Sequence, residues 1–264
     1  MTRYDFTTQP NRLNQNTMKW HEAESDPELL ELWVADMDFL PVPEIRDAVI
    51  NYAETHIFGY PYPSDELYQS IIDWEKNQHG YSVDKASIVL IEGVVPAIST
   101  AIQSFTKEDD AVLINTPVYP SFARSVRLNN RKLIENSLVK VNGHFEIDFE
   151  QLECDIVDND VKLYVFCSPH NPGGRVWTKE ELTMVADLCQ KHGVLLVSDE
   201  IHQDLALYGN KHISLNTISN AYKDFTLVLS SATKTFNIAG TKNSFTIIEN
   251  EDLRKSFKQK QLAN

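Results

Sequence analysis

The feature that most constrains this chain is an alternation of short apolar runs, each bounded by turn residues, with stretches of helical spacing between them. Residues 87–91, 111–115, 162–167, 194–198 and 226–229 are too short for helices and are apolar at successive positions, which suits strands buried on both faces. Residues 64–79 place Leu67, Ile71 and Trp74 on one helical face and stop at Gly80, and residues 178–192 open on a Thr178/Glu181 capping box and end at Gly193. Strands that alternate with helices in this order close into an open, mostly parallel sheet with helices on both faces, so the expected class is α/β.

Composition supports a folded globular chain. Its 264 residues are 42% hydrophobic and 23% charged, enough to bury a large core. With 24 basic against 38 acidic residues the formal charge is −14, which repels phosphate backbones and argues against nucleic acid as a partner. Cys154, Cys167 and Cys189 show neither CxxC nor Cys/His ligand spacing, so no disulfide framework or metal site is expected and a reducing cytoplasm is the expected location. No apolar stretch approaches a membrane span, and the polar residues 1–16 lack the pattern of a signal peptide.

In open α/β sheets, ligands gather beyond the carboxyl ends of the strands, so the segments that follow the predicted strands are the places to seek chemistry. Lys234 follows residues 226–229, stands among Ser230, Ser231, Thr233 and Thr235, and precedes an apolar stretch. A lysine in such a place can hold an aldehyde cofactor as an imine if the site disfavours its ammonium form, although alone it also reads as a solvated loop residue. Asp199 ends residues 194–198, where a carboxylate can pair with a protonated ring nitrogen or cap a helix. Asn171 lies in a Pro-Gly-rich loop, where its amide can donate to a phenolic oxygen or only form a turn. Tyr119, between Pro117 and Pro120, offers a flat ring for stacking or for packing. The Gly93-Val94-Val95 turn before a helix starting near Pro96 offers backbone N–H groups for a phosphate, which Ser231 and Thr233 can complete. No GxGxxG follows a strand, which disfavours a nicotinamide enzyme.

These segments, in this order, resemble the fold type I pyridoxal-phosphate (PLP) enzymes of the aspartate aminotransferase superfamily. The segments Trp33-Val34-Ala35-Asp36-Met37-Asp38-Phe39, Pro169-His170-Asn171-Pro172-Gly173-Gly174-Arg175, Asp199-Glu200-Ile201-His202 and Ser231-Ala232-Thr233-Lys234-Thr235-Phe236-Asn237 look like its cystathionine beta-lyase-like and maltose-regulon modulator branch. The resemblance implies PLP as cofactor, Lys234 as its bearer and proton shuttle, Asp199 on the ring nitrogen, and Asn171 with His202 near the phenolic oxygen. It further implies Tyr119 stacking and Gly93, Val94, Val95, Ser231 and Thr233 on the phosphate. Ala35 and Asp36 would line the substrate wall, with Asp36 and Asp38 not read as a metal pair. Tyr60 would reach into a partner subunit of a homodimer. Lys242 stands eight residues past Lys234 (242 − 234 = 8), where an arginine is usual in aminotransferases.

The implied reaction is carbon–sulfur beta-elimination on a small sulfur-containing amino acid, giving thiol, pyruvate and ammonia. The alternatives are transamination and a catalytically impaired regulatory or binding role. The implied organisation is a segment, 1–50, that contributes to a small lobe and the substrate wall, followed by a PLP-binding large domain, 51–264. Family members carry a further C-terminal lobe, so the resemblance implies that this sequence is a fragment with the small domain truncated.

Overall fold

The computed structural model describes residues 4–26 and 28–263. In chain order its first elements are α1 (Pro43–Thr55), α2 (Asp65–His79), β1 (Ile88–Ile91), α3 (Val94–Phe105), β2 (Ala111–Thr116) and α4 (Ser121–Leu128). Next come β3 (Lys132–Ser137), β4 (Val139–Val141), β5 (His144–Glu146), α5 (Phe149–Asp158), β6 (Val161–Cys167) and α6 (Lys179–His192). The last are β7 (Leu195–Asp199), β8 (Thr226–Ser230), α7 (Ala232–Thr235), β9 (Ser244–Ile247) and α8 (Glu251–Gln261). The chain divides into two compact units, Ser64–Ser231 with Asn243–Asn264, and Met1–Pro63 with Ala232–Lys242.

The larger unit is built on a seven-stranded sheet of order β1-β9-β8-β7-β6-β2-β3, and β4 and β5 form a separate hairpin. Neighbours from β8 through β3 are parallel, whereas β9 runs antiparallel to both β1 and β8. The α/β class and its mostly parallel sheet are as the sequence predicts. Each of the five predicted strands is present with its ends shifted by a residue or less.

Continuous apolar strands serve two cores because successive side chains point to opposite faces. Leu163 and Val165 pack with Ala97, Ile98 and Ile102 of α3 and Phe122 of α4, while Tyr164 and Phe166 pack with Leu152 of α5 and Val185 of α6. Helix α6 begins at the expected capping box, in which Thr178 accepts from Glu181 N and the Glu181 carboxylate accepts from Thr178 N, and it ends at Gly193 with φ 67°.

Helix α2 begins and ends where predicted, capped by Ser64 and closed by Gly80 with φ 67°, but its buried face is rotated from the expected one. Leu67 is exposed. Tyr68, Ile71 and Ile72 pack against Tyr81, Val83 and Val228, and Glu75 beside them is buried. The face is set by what the sheet presents, and here it presents polar groups as well as apolar ones. Among the described residues no helix is long and apolar enough to cross a membrane.

Candidate functional site

Within the larger unit, the carboxyl ends of β2, β6 and β7 are tied together by the backbone. Cys167 and Asp199 are register partners at the ends of β6 and β7, and Ser168 N donates to Asp199 O at 2.9 Å. Tyr119 N donates to Asn171 O at 3.1 Å, joining the loop after β2 to the loop after β6. These bonds bring Tyr119, Asn171 and Asp199 to one edge of the sheet.

Asp199 is buried, and its Oδ1 accepts from Ile201 N at 3.1 Å. The carboxylate thus turns the chain as a cap would and still stands at the strand end. Asn171 is half-buried, and its side-chain amide has no hydrogen-bond partner among the described residues. Its loop is fixed from below: Asn171 N donates to Cys167 Sγ at 3.4 Å, and Cys167 Sγ donates to Pro169 O at 3.3 Å. Burial pushes the Cys167 thiol up, so the group stays protonated and serves as a polar strut. His170 Nε2 donates to Pro117 O at 2.9 Å, and burial lowers this imidazole, which keeps it neutral. Gly173 is required here, because a Cβ would lie 2.8 Å from the His170 ring. Tyr119 remains partly exposed, its ring edge-on to Phe122 at 6.5 Å.

Helix α3 starts at Val94, two residues earlier than expected, because Gly93 is its N-cap. No side chain caps that helix end, so the Gly93-Val94-Val95 turn presents an uncapped N-terminus of a twelve-residue helix. Ser231, buried at the end of this unit, donates to Asn243 O at 2.5 Å. His202 lies in the turn after Asp199, at the start of a short 3-10 turn, Gln203–Leu205.

That turn is held by groups the sequence did not single out. Glu200 is fully buried, and its two oxygens accept from Ser198 Oγ, Leu215 N and His212 Nε2 at 2.9, 3.2 and 2.9 Å. Asp204 accepts from Trp74 Nε1 at 3.1 Å and pairs with His79 Nε2 at 2.8 Å. The signal available in the sequence was Glu75 and His79 at helical spacing from Ile71, polar residues on an otherwise apolar stripe.

The smaller unit holds Lys234 on α7, with Thr233 buried and Lys234 half-buried. Three residues later Asn237, at φ 55°, donates from Nδ2 to Met37 O at 2.9 Å and accepts from Met37 N at 2.8 Å. This two-way amide contact places the segment that contains Ala35 and Asp36 beside the lysine-bearing turn. Asp36 and Asp38 are both engaged by cations: Arg12 reaches them at 2.9 and 2.6 Å, and Lys19 reaches Asp38 at 2.7 Å. Burial raises the Asp38 carboxyl, but hydrogen bonds from Lys19, Trp20 and Arg12 outweigh it and leave it below its ordinary value. Tyr60 is fully exposed, and Lys242 is exposed after the short turn Ala239–Thr241.

A parallel sheet carrying an acid, an amide and an uncapped helix end beyond its strand ends, followed in the chain by a lysine-bearing turn, defines an α/β fold of the fold type I class. The chain belongs to the aminotransferase class I and II family, whose model matches residues 27–261. It is 39% identical over 256 residues to cystathionine beta-lyase PatB of Bacillus subtilis, covering 96% of this chain and 66% of that protein. It is 33% identical to protein MalY of Escherichia coli, covering 87% of this chain and 58% of that one, and these relatives place it in the cystathionine beta-lyase/MalY branch. The crystal structure of cystalysin from Treponema denticola, which contains a pyridoxal 5′-phosphate cofactor, superposes with a TM-score of 0.95 at 38% identity, covering 99% of this chain and 68% of that one. The chain thus spans about 58–66% of the length of the two curated relatives.

Proposed function

We propose that this chain binds PLP at Lys234 and acts as a carbon–sulfur beta-lyase on a small sulfur-containing amino acid, giving thiol, pyruvate and ammonia. The observation that supports this best is the pair of groups beyond adjacent parallel strands: the buried Asp199 carboxylate at the end of β7 and the Asn171 amide, with an open donor, in the loop after β6, held together by Ser168 N donating to Asp199 O. That donor set suits a pyridinium ring with a phenolic oxygen, and the uncapped α3 end suits its phosphate.

When bound, PLP supplies an aldehyde for the lysine amine and a ring that withdraws electrons from the substrate's alpha carbon. The roles of this chain's residues follow. Asp199 would keep the ring nitrogen protonated, and Asn171, with His202 nearby in sequence to Asp199, would hold the phenolic oxygen. Tyr119 would stack on the ring. Gly93, Val94 and Val95 would donate backbone N–H groups to the phosphate, with Ser231 and Thr233 as the hydroxyls that would complete its binding. Lys234 would take the alpha proton, the electron pair left behind would form the alpha–beta double bond as the beta carbon–sulfur bond breaks, and the departing thiolate would take up a proton to leave as the thiol, with water completing the release of pyruvate and ammonia. Ala35 and Asp36, in the segment 1–50, would line the substrate side, and the cofactor would be bound within 51–264.

The chain works as a homodimer through the surface around Tyr60. Helix α1 buries none of its residues in the chain, and Ile57, Phe58 and Tyr60 after it are 89%, 78% and 107% exposed, an apolar surface suited to a second copy. Transamination is the second reading, favoured by the 40% identity to a PLP-bound putative aminotransferase of Clostridium difficile.

The test is to add PLP, record the long-wavelength absorption band, reduce with borohydride and locate the modified lysine by mass spectrometry. Reduction fixed at Lys234 and lost in Lys234→Ala is expected; labelling scattered over surface lysines refutes the assignment. Pyruvate formed without an amino acceptor marks elimination, whereas a requirement for an oxo acid marks transfer.

A further inference from the structure

Glu75 of α2 lies in the larger unit and is 1% exposed, and the Gln203 it meets is 4% exposed. Gln203 Nε2 donates to Glu75 Oε1 at 2.7 Å. The other two oxygens, Glu75 Oε2 and Gln203 Oε1, are both buried and have no hydrogen-bond partner among the described residues. Two acceptors left over on either side of one hydrogen bond cannot satisfy each other without a proton between them. A carboxylic acid solves both at once: its O–H donates to the amide oxygen while its carbonyl oxygen accepts from the amide nitrogen.

We propose that Glu75 is carried as the neutral acid in a cyclic acid–amide pair with Gln203, and that this pair positions the turn bearing Asp199 and His202. The inference rests on the proposed cofactor role only for what that turn does.

The surroundings favour the neutral form. Burial raises the Glu75 carboxyl to about 7; the Gln203 amide and His79 pull it down, and Glu200 and Asp204 push it up. The remaining groups around this cluster are His212, whose ring packs edge-on to His79 at 5.8 Å, and Tyr81, which senses Glu200. His212 is committed to Glu200 and His79 to Asp204, so each nearby carboxylate already has its imidazole and none remains for Glu75. A third negative charge in this cluster has no counter-ion.

The sign follows from linkage. The folded value lies above the ordinary 4.5, so the folded state binds more protons than the unfolded one. The stabilisation is therefore complete below about 4.5 and is lost as pH rises through about 7. Loss of that proton leaves Glu75 Oε2 and Gln203 Oε1 both without a donor and loosens Gln203, one residue from His202.

The test uses the chain without PLP. Infrared difference spectra should show a carboxylic-acid carbonyl band that vanishes with a midpoint near pH 7 and is absent in Glu75→Gln, whose amide can make the same two hydrogen bonds. Hydrogen exchange of the amides of Gln203 and Leu205, compared at equal pH, should speed up in the wild type relative to Glu75→Gln as pH rises. Should the variant not fold, isotopically labelled glutamate assigns the band in the wild type. No acid band at pH 6, or an equal exchange response in both proteins, overturns the proposal. Because neither measurement involves the cofactor, failure of PLP to bind would sink the lyase reading and leave this one standing.

Discussion

Replacing His212 with alanine tests whether the turn after β7 is held by the buried contact between His212 and Glu200. His212 and Glu200 have side chains 1% and 0% exposed, and their 2.9 Å contact is the one that satisfies Glu200 Oε2. Ser198 Oγ and Leu215 N occupy the other oxygen, so the carboxylate has nowhere to turn when the imidazole is removed. Breaking a buried pair by deleting one partner costs about 3–5 kcal/mol, most of it from the buried group left without its partner. For a chain of this size that is a fall in Tm of roughly 6–20 °C, at about 2–4 °C per kcal/mol. The assay is thermal unfolding by circular dichroism at neutral pH, with urea denaturation as a check that cooperativity is kept. The double variant Glu200→Gln/His212→Ala removes the stranded carboxyl group and should recover a large part of the loss. A single variant within about 1 kcal/mol of wild type, or a double variant no more stable than the single, would refute the reasoning.

Two further outcomes are expected. Of the three cysteines, Cys154 is exposed whereas Cys167 and Cys189 are buried with their thiols pushed up by desolvation, so a thiol reagent should label one site in the native chain and all three after unfolding. Gly193→Ala should lower stability by about 1 kcal/mol, measured as a shift in urea midpoint. The cost is conformational, since Gly193 has φ 67° and a Cβ there would meet nothing within 4 Å.

Much of the frame was legible because it rests on local rules. The five buried strands, the limits of α2 and α6, and the caps at Ser64, Thr178, Gly80 and Gly193 depend on residues close in sequence, where apolar runs, side-chain caps and left-handed glycines act. The segments after the strands were legible for the same reason, since a parallel sheet sends every strand end to one edge. Tertiary structure decided what those rules leave open. The reversal of β9 depends on pairing with β8 and β1 from distant parts of the chain. The burial of Glu75 in place of Leu67 depends on which face of α2 meets Gln203, 128 residues away. Likewise His212 finds Glu200, and Asn237 finds Met37 across 200 residues. A lone glutamate or histidine carries no local sign of its partner, and only the packed chain, in which water no longer competes for its hydrogen bonds, fixes which groups must satisfy one another.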